Sequence, residues 1–102
     1  MIHVIATVQI NPGQRAAFLA EFRKIVEDVR AEAGCIEYGP AVDFESRIPV
    51  QAEPRPDVVT IIEKWESSEA LSDHLRAPHM VTYRERVRDL VKWVDLRILE
   101  PA

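Results

Sequence analysis

The first ten residues constrain the fold more than any other stretch. Ile2, Val4, Ala6, Val8 and Ile10 run down one side, all apolar, while His3, Ile5, Thr7 and Gln9 share the other. Alternation with period two marks a strand, because successive side chains point to opposite faces. A wholly apolar face beside a half-apolar one describes a central strand covered on both sides. Asn11-Pro12-Gly13 then ends it: proline lacks a backbone donor and glycine tolerates a tight reversal. With 102 residues the chain has room for one domain around this strand, not two.

The next signal is helical. Phe18, Leu19, Phe22, Ile25, Val26 and Val29 recur at three-, four- and seven-residue spacing, which predicts one helix from about Gln14 to Ala33. Gly34 stands where a left-handed C-terminal residue is wanted. Cys35 to Phe44 is a weaker strand, and Gly39-Pro40 within it predicts an edge position or a bulge. Glu45 to Asp57, with Pro49, Pro54 and Pro56, is expected to be a loop, long enough to be functional or mobile. Val58 to Trp65 is the third strand, placing Val59, Ile61, Glu63 and Trp65 on one face. Ser67 or Ser68 is expected to cap a short helix from Glu69 to about Arg76. Pro78 opens another helical piece to about Leu90, and Val91 to Leu99 is the last strand.

The element order is β-α-β-β-α-β, the split βαβ or ferredoxin-like pattern of an α+β domain. Right-handed crossovers put both helical segments on one face of a four-stranded antiparallel sheet. The other face stays open, yet the first strand carries apolar residues there. The simplest cover is the sheet of a second copy related by a two-fold axis, hence a homodimer.

Composition narrows the function. Lys+Arg is 13 and Asp+Glu 17, a net charge of −4, which argues against nucleic-acid or anionic-membrane partners. No apolar run approaches the roughly 20 residues of a membrane span. The N-terminus lacks the basic and small-residue marks of a signal peptide. Cys35 is the single cysteine, so a disulfide or multi-cysteine metal site is not expected and a cytoplasmic location is. The sequence contains no phosphate-binding glycine loop, nucleotide fingerprint, nucleophile elbow or His-Glu-x-x-His pair. With only 3 glycines, a resident nucleotide or flavin is not expected.

Three residues stand out as candidates for chemistry. Leu71, His74 and Leu75 share one helix face, so His74 lies on an apolar surface. His79 follows Pro78 at a helix start, where the dipole disfavours an imidazolium and favours a neutral base. Either histidine also fits a hydrogen-bonded core residue. Glu63 shares a strand face with Val59, Ile61 and Trp65. If that face lies under the helices, its carboxyl needs a buried partner, and His74 is the obvious one. If it is the dimer side, Glu63 is an interface residue, with Arg97 as its candidate partner. Trp65, Tyr38, Tyr83 and Trp93 would line an aromatic pocket or serve as core and interface. Tyr83, Arg84 and Arg86 would border its mouth, although a solvated surface suits the two arginines better.

These residues resemble the antibiotic biosynthesis monooxygenase (ABM) domain family, most closely its small bacterial quinol monooxygenase (YgiN-like) branch. The resemblance is carried by Asn11-Pro12-Gly13-Gln14, by Glu32-Ala33-Gly34-Cys35 with Tyr38, and most by Ile62-Glu63-Lys64-Trp65-Glu66-Ser67 through His74-Leu75 to Pro78-His79-Met80. Arg97-Ile98-Leu99-Glu100-Pro101 completes it. It implies a ferredoxin-like subunit in a homodimeric α/β barrel, with a pocket between helices and sheet. It also implies oxidation of a quinol or related polycyclic phenol by O₂ without metal, flavin or haem. The resemblance places the family's pocket tryptophan on Trp65 and its helix histidines on His74 and His79. Haem-degrading relatives carry an asparagine where this chain has Ala6, and a histidine near Tyr83-Arg84, which argues against that reaction. His74 or His79 is then expected to be the base, supported by Glu63, with Trp65, Tyr83 and Tyr38 shaping the cavity. The alternative is a non-catalytic dimeric domain that binds a small apolar ligand or only self-associates.

Overall fold

The computed structural model describes residues 1–102. The elements run β1 (Ile2–Ile10), α1 (Arg15–Arg23), α2 (Val26–Arg30), β2 (Cys35–Ala41), β3 (Val58–Trp65), α3 (Ser68–Arg76), α4 (Pro78–Val87) and β4 (Val91–Leu99). The strands form one antiparallel sheet in the order β2-β3-β1-β4. This is the ferredoxin-like arrangement that the element order predicts. The helices cover one face of it.

The alternation in β1 decides which face is covered. Val4, Ala6, Val8 and Ile10 are at most 3% exposed and join the core with Phe18, Phe22, Val29, Val59 and Trp65. The same parity in β3 sends Val59, Ile61, Glu63 and Trp65 under the helices, since Val4 pairs with Glu63 and Ala6 with Ile61. Arg97 pairs with Ile5 on the opposite face, so it does not meet Glu63. β2 is an edge strand, as Pro40 requires, with an irregularity between Cys35 and Glu37.

Three boundaries differ from expectation. The segment predicted as one helix from Gln14 to Ala33 is two helices. Lys24 and Ile25 bond back only three residues, to the Glu21 and Phe22 carbonyls, which tightens the turn and redirects α2. Apolar spacing survives this break, so periodicity alone does not reveal it. The sheet releases β2 at Ala41 rather than Phe44, and the following loop is correspondingly longer. α4 stops at Val87, and Leu90 closes a turn onto the Val87 carbonyl.

Two local devices set up the site. The Ser67 hydroxyl accepts from the Ala70 amide, fixing the start of α3. Gly34 has φ +84°, and a Cβ there would lie 2.6 Å from the Ala70 Cβ. Glycine therefore serves both the left-handed turn and the close passage of this turn against α3. Glu66 N–H donates to the Gly34 carbonyl at 2.8 Å, completing the tie. The turn carries Glu32 up to the α3–α4 junction.

Candidate active site

A cavity of about 440 Å³ lies between the sheet and the α3–α4 layer. Its size is in the range of small-molecule sites. Ala6, Val8, Ile61, Met80, Val87, Val91, Val94 and Leu96 make most of its wall, with Tyr38, Tyr83 and Leu75. Only four lining residues are charged or titratable at ordinary pH: Glu63, His74, Arg84 and Arg88. Glu63 and His74 are 6% and 1% exposed, whereas the two arginines reach solvent.

Glu63 is a carboxyl in an apolar place. Burial is the main cause that raises its pKa to about 7, and the Glu32 charge adds to the rise. The Trp65 indole N–H donates to Glu63 Oε1 at 2.9 Å and opposes it. His74 Nε2 lies 3.9 Å from the same oxygen, too far for a direct hydrogen bond and near enough for one substrate hydroxyl to reach both groups. Burial pulls the His74 pKa below that of free histidine, against the Glu32 carboxylate, which raises it. At neutral pH His74 is therefore an uncharged imidazole, the form that accepts a proton. Its ring packs at 4.6 Å from Trp65 and edge-on to Tyr38 at 5.4 Å between centroids.

The candidate residues separate into three groups. Glu63, His74, Tyr38 and Tyr83 line the cavity together. Trp65 is fully buried behind the wall, where it holds Glu63 and backs His74 without bordering the space. His79 faces a separate depression on the outside of the helix layer, beside Lys24, Asp28, Thr82 and Arg86. Trp93 pairs with Gln9 on the open sheet face, away from the cavity. Arg84 borders the cavity mouth and donates to the Leu75 carbonyl; Arg86 instead bonds Glu21. Burial raises both phenol pKa values, so Tyr38 and Tyr83 are neutral donors rather than bases.

Glu32 is the residue that the candidate reading lacks. Its Oε2 meets His74 Nδ1 at 3.0 Å and His79 Nε2 at 2.8 Å. A carboxylate just past the end of α2 opposes that helix's dipole, and this misplacement is the one local hint that it serves another element.

The antibiotic biosynthesis monooxygenase family matches residues 1–86, which include every titratable group just described except Arg88. The chain belongs to this family. It is 43% identical, over 100% of its own length and 99% of the relative's, to a protein of Escherichia coli (strain K12) named probable quinol monooxygenase YgiN. Among solved structures it resembles a Pseudomonas aeruginosa protein at 27% identity and TM-score 0.82, covering 99% of this chain and 93% of that one. A Nitrosomonas europaea structure described as a putative antibiotic biosynthesis monooxygenase superposes with TM-score 0.84 at 17% identity, covering 99% and 98%, a likeness of fold. The ABM fold thus holds an apolar cavity whose inner end carries one neutral imidazole and one high-pKa carboxyl. No helix is long and apolar enough to cross a membrane.

Proposed function

We propose that the protein oxidises a quinol or related polycyclic phenol with O₂, in the cavity between helices and sheet, without metal, flavin or haem. The observation that carries this reading is the pairing of Glu63 and His74 at the inner end of an apolar cavity. O₂ is a triplet and reacts slowly with closed-shell molecules, whereas a quinol anion can pass it one electron. The protein then has to hold a flat ring, take one proton and keep water away.

In this scheme the substrate O–H bond breaks and an N–H bond forms at His74 Nε2. Ionised Glu63 supports the imidazolium. The quinolate gives one electron to O₂, producing a semiquinone and superoxide, which join through a new C–O bond. The proton returns from His74 to the peroxide, and loss of water leaves a quinone with one added oxygen. Quinol and O₂ are consumed; oxidised product and water are formed. Tyr83 and Tyr38 shape the cavity, and Trp65 acts from behind by orienting Glu63.

The reading includes a homodimer through the open sheet face and a cytoplasmic enzyme whose partners are a small aromatic substrate and O₂. Ile62, Trp93 and Leu99 expose apolar surface on that face, which favours pairing with a second copy.

The test is O₂ uptake by dialysed protein on a panel of naphthoquinols and benzoquinols, corrected for spontaneous autoxidation. Wild-type protein is expected to exceed the background. His74→Ala and Glu63→Gln should each reduce kcat/KM by roughly 10²-fold or more, the size of a lost acid–base group. Binding of the panel without catalysed uptake would replace the enzyme by a dimeric module for small apolar ligands.

A further inference from the structure

We propose that Glu32 and His79 form an outer pair that controls the base: Glu32 fixes which nitrogen of His74 is basic, and His79 adjusts that carboxylate from the solvent side. The inference rests on the reading of His74 as the base, and it gives His79 a role other than contact with substrate.

The geometry is a single shared atom. Glu32 Oε2 meets His74 Nδ1 at 3.0 Å and His79 Nε2 at 2.8 Å. An ionised carboxylate offers lone pairs only, so both rings donate to it. His74 then carries its proton on Nδ1 and its lone pair on Nε2, the nitrogen that faces Glu63. At 1% exposure His74 has Glu32 as its one hydrogen-bond partner. This is the logic by which a buried carboxylate orients a catalytic imidazole and stabilises the cation it becomes.

The second ring makes the arrangement adjustable. The His79 side chain is 26% exposed and borders the outer depression, so solvent reaches it. As a cation it draws on the Glu32 charge and weakens the support given to a His74 imidazolium. As a neutral ring it leaves that charge to His74. The other groups facing His74 are Glu63 on β3, which itself takes up a proton as pH falls through about 7, Arg84 on α4 and the neutral Tyr38 ring on β2. Burial is the largest influence on His74 and lowers its pKa; Glu32 raises it, and His79 and Arg84 lower it. Glu32 is thus a positioning residue, and His79 acts one step further out.

The experiment is nitrogen-15 NMR of the histidine rings in the full, ligand-free chain, read beside quinol oxidation kinetics. Neutral His74 is expected to be protonated on Nδ1. In Glu32→Gln its titration should move to lower pH; in His79→Gln it should move to higher pH; in Glu32→Asp it should stay nearer to wild type. Glu32→Gln should lower kcat by roughly 10²-fold with little change in KM, and Glu32→Asp should recover part of it. A merely structural role predicts otherwise, because loosening the helix pair hydrates His74 and moves its titration upward in both variants. Shifts in one direction, or a wild-type His74 protonated on Nε2, would overturn the proposal. Should Glu32→Gln fail to fold, Glu32→Asp and His79→Gln still carry the test. Expected NMR behaviour with no quinol oxidised by wild type removes the reaction and keeps the coupling; rapid oxidation undiminished in Glu32→Gln removes the outer pair and keeps the reaction.

Discussion

β1 and β4 are neighbours in register, and their matched residues live in different worlds. Val4, Ala6 and Val8 are 0–3% exposed, while their partners Ile98, Leu96 and Val94, on the same sheet face, are 54%, 44% and 54% exposed. Both strands alternate in the same way. What differs is the cover: the helices sit over β1 and β3 and leave β4 at the edge. The uncovered apolar strand supplies Val91, Val94 and Leu96 to the cavity wall. The fold therefore makes its cavity by failing to cover one strand, and it places the buried Glu63–His74 pair at the covered end. Stability and ligand binding are expected to separate along this line.

The largest effect should come from the covered side. Phe22 is fully buried and stacks on Tyr38 with centroids 5.4 Å apart. Phe22→Ala should cost about 3–5 kcal/mol in chemical denaturation, as large aromatic deletions do. A cost below 1 kcal/mol would mean that the two regions are not distinct.

Glu63 should break the pattern from inside the covered region, because there polarity and stability conflict. Its folded pKa of about 7 lies above the ordinary 4.5. Between those values the folded chain keeps a proton that the unfolded chain has released, so stability falls as pH rises toward 7 and beyond. The gap corresponds to up to roughly 3 kcal/mol. Glu63→Gln should accordingly be more stable than wild type at pH 8 and lose that advantage below about pH 4.5, measured by denaturation at several pH values. It should also abolish the fall in wild-type kcat/KM expected as pH drops through about 7 and protonates Glu63.

On the uncovered side the order reverses. Leu96→Ala should cost about 1 kcal/mol or less, since much of the side chain already meets water. Leu96→Trp should raise KM by roughly tenfold by filling the cavity, with the Tm little changed. A Leu96→Ala cost that grows with protein concentration would show that a second copy covers this strand. The smallest effect on monomer stability belongs to the open face: Trp93→Lys should change it by under about 0.5 kcal/mol. The same variant should shift sedimentation from dimer to monomer. Unchanged sedimentation would move the contact elsewhere.

Much of this was legible locally. The Pro40 edge strand, the Gly34 turn, the Ser67 cap and the broken helix at Pro78 each follow from what one residue type permits. Glu63 was visible as a carboxyl on an apolar strand face and His74 as an imidazole on an apolar helix face, and the two faces meet. Trp65 was visible as an apolar-face residue, but its place behind Glu63 rather than beside the cavity was not. The break at Lys24–Ile25 was hidden because apolar spacing continues through it. Glu32 was nearly hidden because its partners His74 and His79 lie 42 and 47 residues away, and only its unfavourable place at the end of α2 hints at them.

The amino-acid order thus determines the strands, the helices and the side of each that turns inward, since these depend on period and on single-residue stereochemistry. Tertiary structure alone decided which inward-turned strand went uncovered, which imidazole reached the cavity, and which distant carboxylate holds it. Those outcomes depend on how layers pack across long sequence separations, where no local pattern carries the information.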